Sequence, residues 1–237
     1  TAFALTLVLG LTTMVWPYAQ TLFSDPTLGL MWLVALYGFL SFKATQRGIW
    51  LALSGACVGF AVLVKIAAAY TLPIFGAYFI HLVFFDSRDK KGESPGWMGQ
   101  IIWFGVPLLA LGYATLWYNQ LRYGSYFSFG YLDSNTYDSR DTLFGFNVPF
   151  LVGLYAQLLS SGKGFFFYNP STVLAFFGWK ESCRRNRAEA LLILGIIGGM
   201  ILMYSKWYGW HGDWCWGLRY LSCLPPFFLL LAGPFME

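Results

Sequence analysis

The chain has 237 residues, 57% of them hydrophobic, 21% aromatic and 11% charged, with a mean hydropathy of +0.56. A soluble domain carries about 25% charged residues, so this composition excludes an ordinary soluble domain and predicts an integral membrane protein. The net charge of +4 does not indicate nucleic acid, because the basic residues sort by loop and leave no basic face.

Apolar runs fall at about 2–16, 27–42, 48–64, 67–85, 100–118, 164–179, 190–205 and 220–235. Several are shorter than the ~20 residues that cross a ~30 Å hydrocarbon core, but their tryptophan- and tyrosine-rich flanks can extend them. Unpaired backbone groups are not tolerated in lipid, so the runs are expected to be helices. The expected fold is an all-α polytopic bundle of about eight spans, a single transmembrane domain over 1–237. Segment 119–163 is too long for a simple turn. Within it, 147–160 is apolar but would reach only ~21 Å as a helix, so it is expected to lie along the interface. The chain starts at Thr1 without methionine and ends directly after an apolar run. It is therefore read as a fragment in which no signal peptide can be sought.

With eight spans, one side receives Lys43, Arg47, Arg88, Lys90, Lys91, Lys180, Arg184, Arg185 and Arg187, nine of the fifteen Lys and Arg. The positive-inside rule makes that side cytoplasmic. The other side receives 17–26, Lys65, the loop 119–163 and 206–219. Cysteines 57, 183, 215 and 223 lack the spacing of a structural zinc site and are expected as free thiols, although Cys215 and Cys223 share a side.

Residues that could carry chemistry gather on the outer side. Asp25, between Ser24 and Pro26, reads either as part of a helix cap or as an active-site acid positioning an acceptor hydroxyl or a metal. Lys65, between two apolar runs, either snorkels to the interface or holds a lipid phosphate. His81, at the other end of a helix, reads as interfacial or buried. Arg122 is a basic group at a helix end. Lys163, in Ser161-Gly-Lys163-Gly164, has no Walker A spacing; it is a point charge suited to phosphate, or a plain interfacial lysine. The stretch 206–219 holds Trp207, Tyr208, Trp210, His211, Asp213, Trp214, Trp216 and Arg219. Its tryptophans suit interfacial anchoring or sugar stacking, and a guanidinium can grip phosphate with two parallel bonds.

Taken in order, Trp16-Pro-Tyr…Phe23-Ser-Asp25-Pro26, Gly59-Phe-Ala-Val-Leu-Val-Lys65, Arg122-Tyr-Gly-Ser125, Gly162-Lys-Gly…Tyr168-Asn-Pro170 and Trp214-Cys-Trp-Gly-Leu-Arg-Tyr220 resemble the polytopic glycosyltransferases of the GT-C type. The likeness is to bacterial family 39-like proteins, related to protein O-mannosyltransferases and lipid A aminoarabinose transferases. The resemblance implies an enzyme of the bacterial inner membrane, acting on its extracytoplasmic side. It would move a sugar, with inversion, from a polyprenyl-phosphate donor to a glycan, lipid or protein acceptor. The family's principal catalytic aspartate would lie upstream of Thr1, and Asp25 matches its second acidic position. Lys65, Arg122, Lys163, His211, Asp213 and Arg219 would bind lipid phosphate and sugar. No cofactor is called for, with a divalent cation left open. Relatives often have Glu where Asp25 stands and Pro where Ile66 stands.

Two other classes compete. A transporter or flippase of lipid-linked glycans would share the outer cations and aromatic belts, but expects charges along a path within the helices. A structural membrane subunit needs none of the outer charges.

Overall fold

The structure is a computed structural model that describes residues 2–86, 95–129, 145–212 and 214–237. Every regular element among them is helical. The helices are α1 (Ala2–Thr12), α2 (Val15–Ala19), α3 (Ser24–Thr45), α4 (Gly48–Val64), α5 (Thr71–His81), α6 (Trp97–Tyr123), α7 (Phe150–Leu159), α8 (Phe165–Tyr168), α9 (Ala175–Arg185), α10 (Arg187–Lys206) and α11 (Pro225–Ala232). Short 3-10 turns precede α5, α9 and α11. Four segments are long and apolar enough to cross a membrane: Ser24–Thr45, Ile66–Phe85, Trp97–Tyr123 and Arg187–Lys206. The apolar helices Ala2–Thr12 and Gly48–Val64 and the segment Pro225–Phe235 are shorter.

The expected run 164–179 is not one helix. It breaks at Asn169-Pro170 into α8, a 3-10 turn and α9. Proline lacks the N–H that a continuous helix needs. Asn169, fully buried, uses its side chain to bracket the break. Its Oδ1 accepts from the Met14 N–H (2.8 Å) and its Nδ2 donates to the Phe165 carbonyl (3.0 Å). Broken helices survive at membrane depth when neighbouring side chains satisfy the freed backbone groups in this way.

The chain divides into two compact units, one comprising Thr1–Gly29 and Ser134–Glu237, the other Leu30–Asp133. In the second unit α4 lies flat against α6 because small residues face it. A Cβ on Gly55 would stand 2.1 Å from the Phe104 carbonyl, and one on Gly59 2.9 Å from Leu111. This four-residue spacing of glycines is the close-packing device of membrane helices, where association depends on contact and not on water. Phe39 fills the space beside them, against Phe75, Tyr78 and Phe104.

In the first unit the elements run lengthwise. Phe165 and Phe166 pack on Phe228. Further along, Ser182 donates to the Leu231 carbonyl, and Phe177 meets Phe235. The broken segment 165–185 thus travels beside α11 in the same direction. α10 joins the two ends of the unit over ~30 Å at 1.5 Å per residue. At one of these ends Tyr204 stacks on Tyr220 with centroids 4.6 Å apart. At the other, Arg185 pairs with Glu181 and Glu237.

Helix α7 occupies 150–159 of the expected interfacial stretch and packs on the end of α10. Val148 donates to the Lys206 carbonyl, and a Cβ on Gly153 would stand 1.9 Å from the Ser205 carbonyl. Backbone cannot yield as a flexible side chain does. Gly153→Ala should therefore lower the melting temperature in detergent, on the ~1–3 kcal/mol scale of overpacking. Gly198→Ala, where nothing lies within 4 Å, should leave it unchanged or raise it. Equal melting of the two variants would refute the close approach.

Candidate functional site

Three chain segments meet at the end of the first unit that holds Tyr204 and Tyr220. The first is the α2–α3 connection. Tyr18 is buried and donates its hydroxyl to the Trp216 carbonyl at 2.8 Å. Burial, with Cys215 beside it, pushes the Tyr18 hydroxyl well above its ordinary range, so it stays a neutral donor. Asp25 is the second residue of α3 and only 2% exposed. Ser24, Asp25 and Pro26 all lie in the first turn. The carboxylate therefore faces the positive end of the helix dipole as well as nearby cations.

The second segment is the turn before α8. Gly164 donates to the Ser160 carbonyl at 2.8 Å, and the Lys163 N–H reaches the Ser160 hydroxyl at 3.3 Å. Tyr168 donates its hydroxyl to the Gly162 carbonyl at 3.0 Å. These bonds close the turn and extend Lys163 from it. The Lys163 ammonium donates to the Cys215 carbonyl at 2.5 Å and lies 3.6 Å from the Cys215 sulfur.

The third segment is 207–221. It winds back on itself through Gly212 and Gly217, with φ of +70° and +68°. A side chain at Gly217 would be strained by that backbone and would also run into Met14 and Tyr168. The coil delivers Arg219, whose guanidinium donates to the Tyr220 hydroxyl at 2.8 Å. Its carbon lies 4.8 Å from the Tyr220 ring centroid and 5.0 Å from that of Phe23. Burial opposes the charge of Arg219. The Tyr220 hydroxyl, with Asp25 and Cys215 acting through space, outweighs this and holds its pKa above the ordinary arginine value.

Lys163 and Arg219 thus both lie near Cys215. A Cβ on Gly212 would be 3.1 Å from both the Arg219 Cγ and the Cys215 sulfur. Asp25 is within electrostatic reach of Arg219 and of the Tyr18 hydroxyl. Two cations, one buried carboxylate and a neutral phenol make a cluster suited to an anion. Trp16, Leu22, Trp214 and Trp216 stand exposed on the same segments, Trp214 fully so. Amphipathic rings around a charged cluster are what a headgroup layer accommodates.

His211 is exposed, edge-on to Trp210, and adjoins the cluster through its backbone carbonyl. Asp213 lies outside the described residues. Lys65 and Arg122 belong to the other unit. Lys65 occupies an extended joint between α4 and the following 3-10 turn, and Arg122 is exposed over Tyr118 and Tyr123. All four cysteines are free. No group of three His, Cys, Asp or Glu among the described residues is placed to hold a metal ion. Among the described residues the donor set around Asp25 does not fit a divalent cation, since the charge shown in its field, Arg219, is positive.

Sequence reading gave no site role to Tyr18, Asn169 or Cys215. Asn169-Pro170 was a legible break signal; the Cys215 carbonyl that receives Lys163 left no sequence trace. No protein-family model, curated protein or solved structure matches the chain.

Proposed function

We propose that this protein is a membrane glycosyltransferase that moves a sugar from a polyprenyl-phosphate donor to an acceptor hydroxyl on the extracytoplasmic side of a bacterial inner membrane. The observation that carries this reading is the approach of Lys163 and Arg219 to Cys215, with buried Asp25 in the field of Arg219 and exposed aromatic residues on the same segments. In the transfer, the acceptor oxygen bonds to the sugar's anomeric carbon as the bond from that carbon to the phosphate oxygen breaks. The acceptor proton passes to a carboxylate, and polyprenyl phosphate leaves. Lys163 and Arg219 stabilise the charge that grows on the departing phosphate, and Asp25 orients or deprotonates the acceptor.

Sidedness supports the same reading. The cluster and the basic turn at Lys180–Arg187 lie at opposite ends of the first unit, with α10 between them. In the described candidate spans the Asp, Glu, Lys and Arg residues sit in terminal turns: Asp25, Lys43, Arg122, Arg187, Glu189 and Lys206. That pattern suits chemistry at a surface better than passage of a charged glycan through the bundle.

The test is sugar transfer from a synthetic polyprenyl-phosphate donor by the full-length protein in vesicles. Lys163→Gln should lower kcat/KM by about tenfold or more, the scale of one charge-assisted hydrogen bond of ~1.5–3 kcal/mol. Absence of transfer by the wild-type protein with every such donor would refute the proposal.

A further inference from the structure

At the other end of the first unit, α9 carries a stripe of exposed residues at helical spacing. Phe176 and Phe177 come first, then Lys180, then Arg184, with Arg187 opening α10. Phe176 and Phe177 are more than half exposed although each touches one ring, and Arg184 is 84% exposed. The opposite side of α9 is committed to packing. A Cβ on Gly178 would stand 2.3 Å from the Leu231 carbonyl, and Ser182 bonds the same carbonyl. The nearby acids gather around Arg185, which pairs with Glu181 and Glu237; Arg184 also reaches Glu181 at 3.5 Å. Neither Lys180 nor Arg187 has an acidic partner within 4 Å among the described residues. Asn186 places no side-chain cap on α10, so that helix presents backbone N–H groups beside Arg187, with Glu189 in the same turn.

We infer that this stripe binds the phosphodiester headgroup of an anionic phospholipid, with Phe176 and Phe177 against its acyl chains and Lys180, Arg184 and Arg187 around its phosphate. The order of residues carries the inference. From Phe177 to Arg184 the helix rises ~10 Å at 1.5 Å per residue. The polar layer of one leaflet is about 5–8 Å deep. The stripe therefore passes from hydrocarbon to phosphate within two turns, and its chemistry changes from aromatic to cationic over that distance. A cationic surface without this register would attract anionic lipid through its general field alone. The site is at the opposite end of the unit from Lys163 and Arg219, and it does not depend on the transferase reading.

The experiment uses full-length protein in phosphatidylcholine vesicles and compares association of spin-labelled phosphatidylglycerol with spin-labelled phosphatidylcholine. The wild-type protein should prefer phosphatidylglycerol by about threefold or more, because basic residues at a membrane surface attract anionic headgroups. Lys180→Gln/Arg184→Gln/Arg187→Gln should bring the ratio near one, while Lys43→Gln/Arg47→Gln, basic positions of the other unit, should leave most of it. Equal loss from both sets, or no preference in the wild type, would overturn the site and leave only a diffuse charge effect. If the triple variant does not fold, photo-crosslinking of phosphatidylglycerol to the wild-type chain decides instead. Adducts within 176–187 support the site, and adducts spread over every basic loop sink it.

Discussion

Arg219→Met should reduce sugar transfer by at least about 100-fold, the loss seen when one preorganised donor to a developing anion is removed. Arg219 is held by the Tyr220 hydroxyl and by the faces of Phe23 and Tyr220, so its guanidinium is fixed before any ligand arrives. Methionine fills similar volume but leaves Asp25, at 2% exposure, without that positive charge. Part of the loss will then be structural, because an uncompensated buried charge costs about 3–5 kcal/mol when its partner is removed outright. Arg219→Lys separates the two effects. It keeps the charge and should keep most of the melting temperature, but it lacks the planar fork that meets phosphate with two parallel bonds. The expected outcome is near-normal stability with transfer still reduced about tenfold or more, on the same scale of lost donor contacts. A lysine variant with wild-type turnover would remove the bidentate role from the proposal. A methionine variant that transfers normally would remove Arg219 from the site altogether.

What the sequence made legible follows from which forces act along the chain and which act across it. Ser24–Thr45, Ile66–Phe85, Trp97–Tyr123 and Arg187–Lys206 were all foreshadowed by apolar runs, because lipid forces such runs to satisfy their own backbone bonds. The run at 164–179 obeyed the same rule only in part. Its apolar length argued for one helix, but Asn169 and Pro170 end α8, and the Asn169 side chain repairs the break with the Met14 N–H from far along the chain. No local reading contains that bond. Lys163 and Arg219 were both visible as cations beside glycine or aromatics on one expected side. Their meeting depends on the coil 207–221, whose path is set by left-handed glycines and by the backbone carbonyl of Cys215. Carbonyls have no signature in a sequence. Tyr18 was hidden for another reason: in a chain so rich in aromatics, one tyrosine among many gives no signal until its hydroxyl is seen to reach the Trp216 carbonyl.

Asp25→Asn should cost at least about tenfold in sugar transfer, a floor set below the 10²–10⁴-fold that a positioned general base contributes, because a supporting acid contributes less. Asparagine keeps the shape, and it is about as good as aspartate at a helix start, where exchange for alanine costs ~0.5–2 kcal/mol. It does not keep the charge. Asp25 lies in the first turn of α3 and is buried, with Arg219 in its field. Two roles therefore compete. If the carboxylate only steadies Arg219, the substitution loosens the guanidinium, donor binding weakens and KM rises, while kcat falls little. If it handles the acceptor hydroxyl, kcat falls and the donor KM stays, because the lost interaction belongs to the transition state. Asp25→Glu adds a second check, since it retains the charge but shifts it by one methylene. Partial recovery over asparagine is expected, and it would tie the effect to charge. The measurements are kcat and donor KM for both variants at matched melting temperature, in vesicles containing the full-length protein. A fall in kcat with unchanged KM assigns Asp25 to the chemistry. A rise in KM alone makes it a positioning residue for Arg219, and wild-type values for both constants return it to the status of a helix-start acid with no part in transfer.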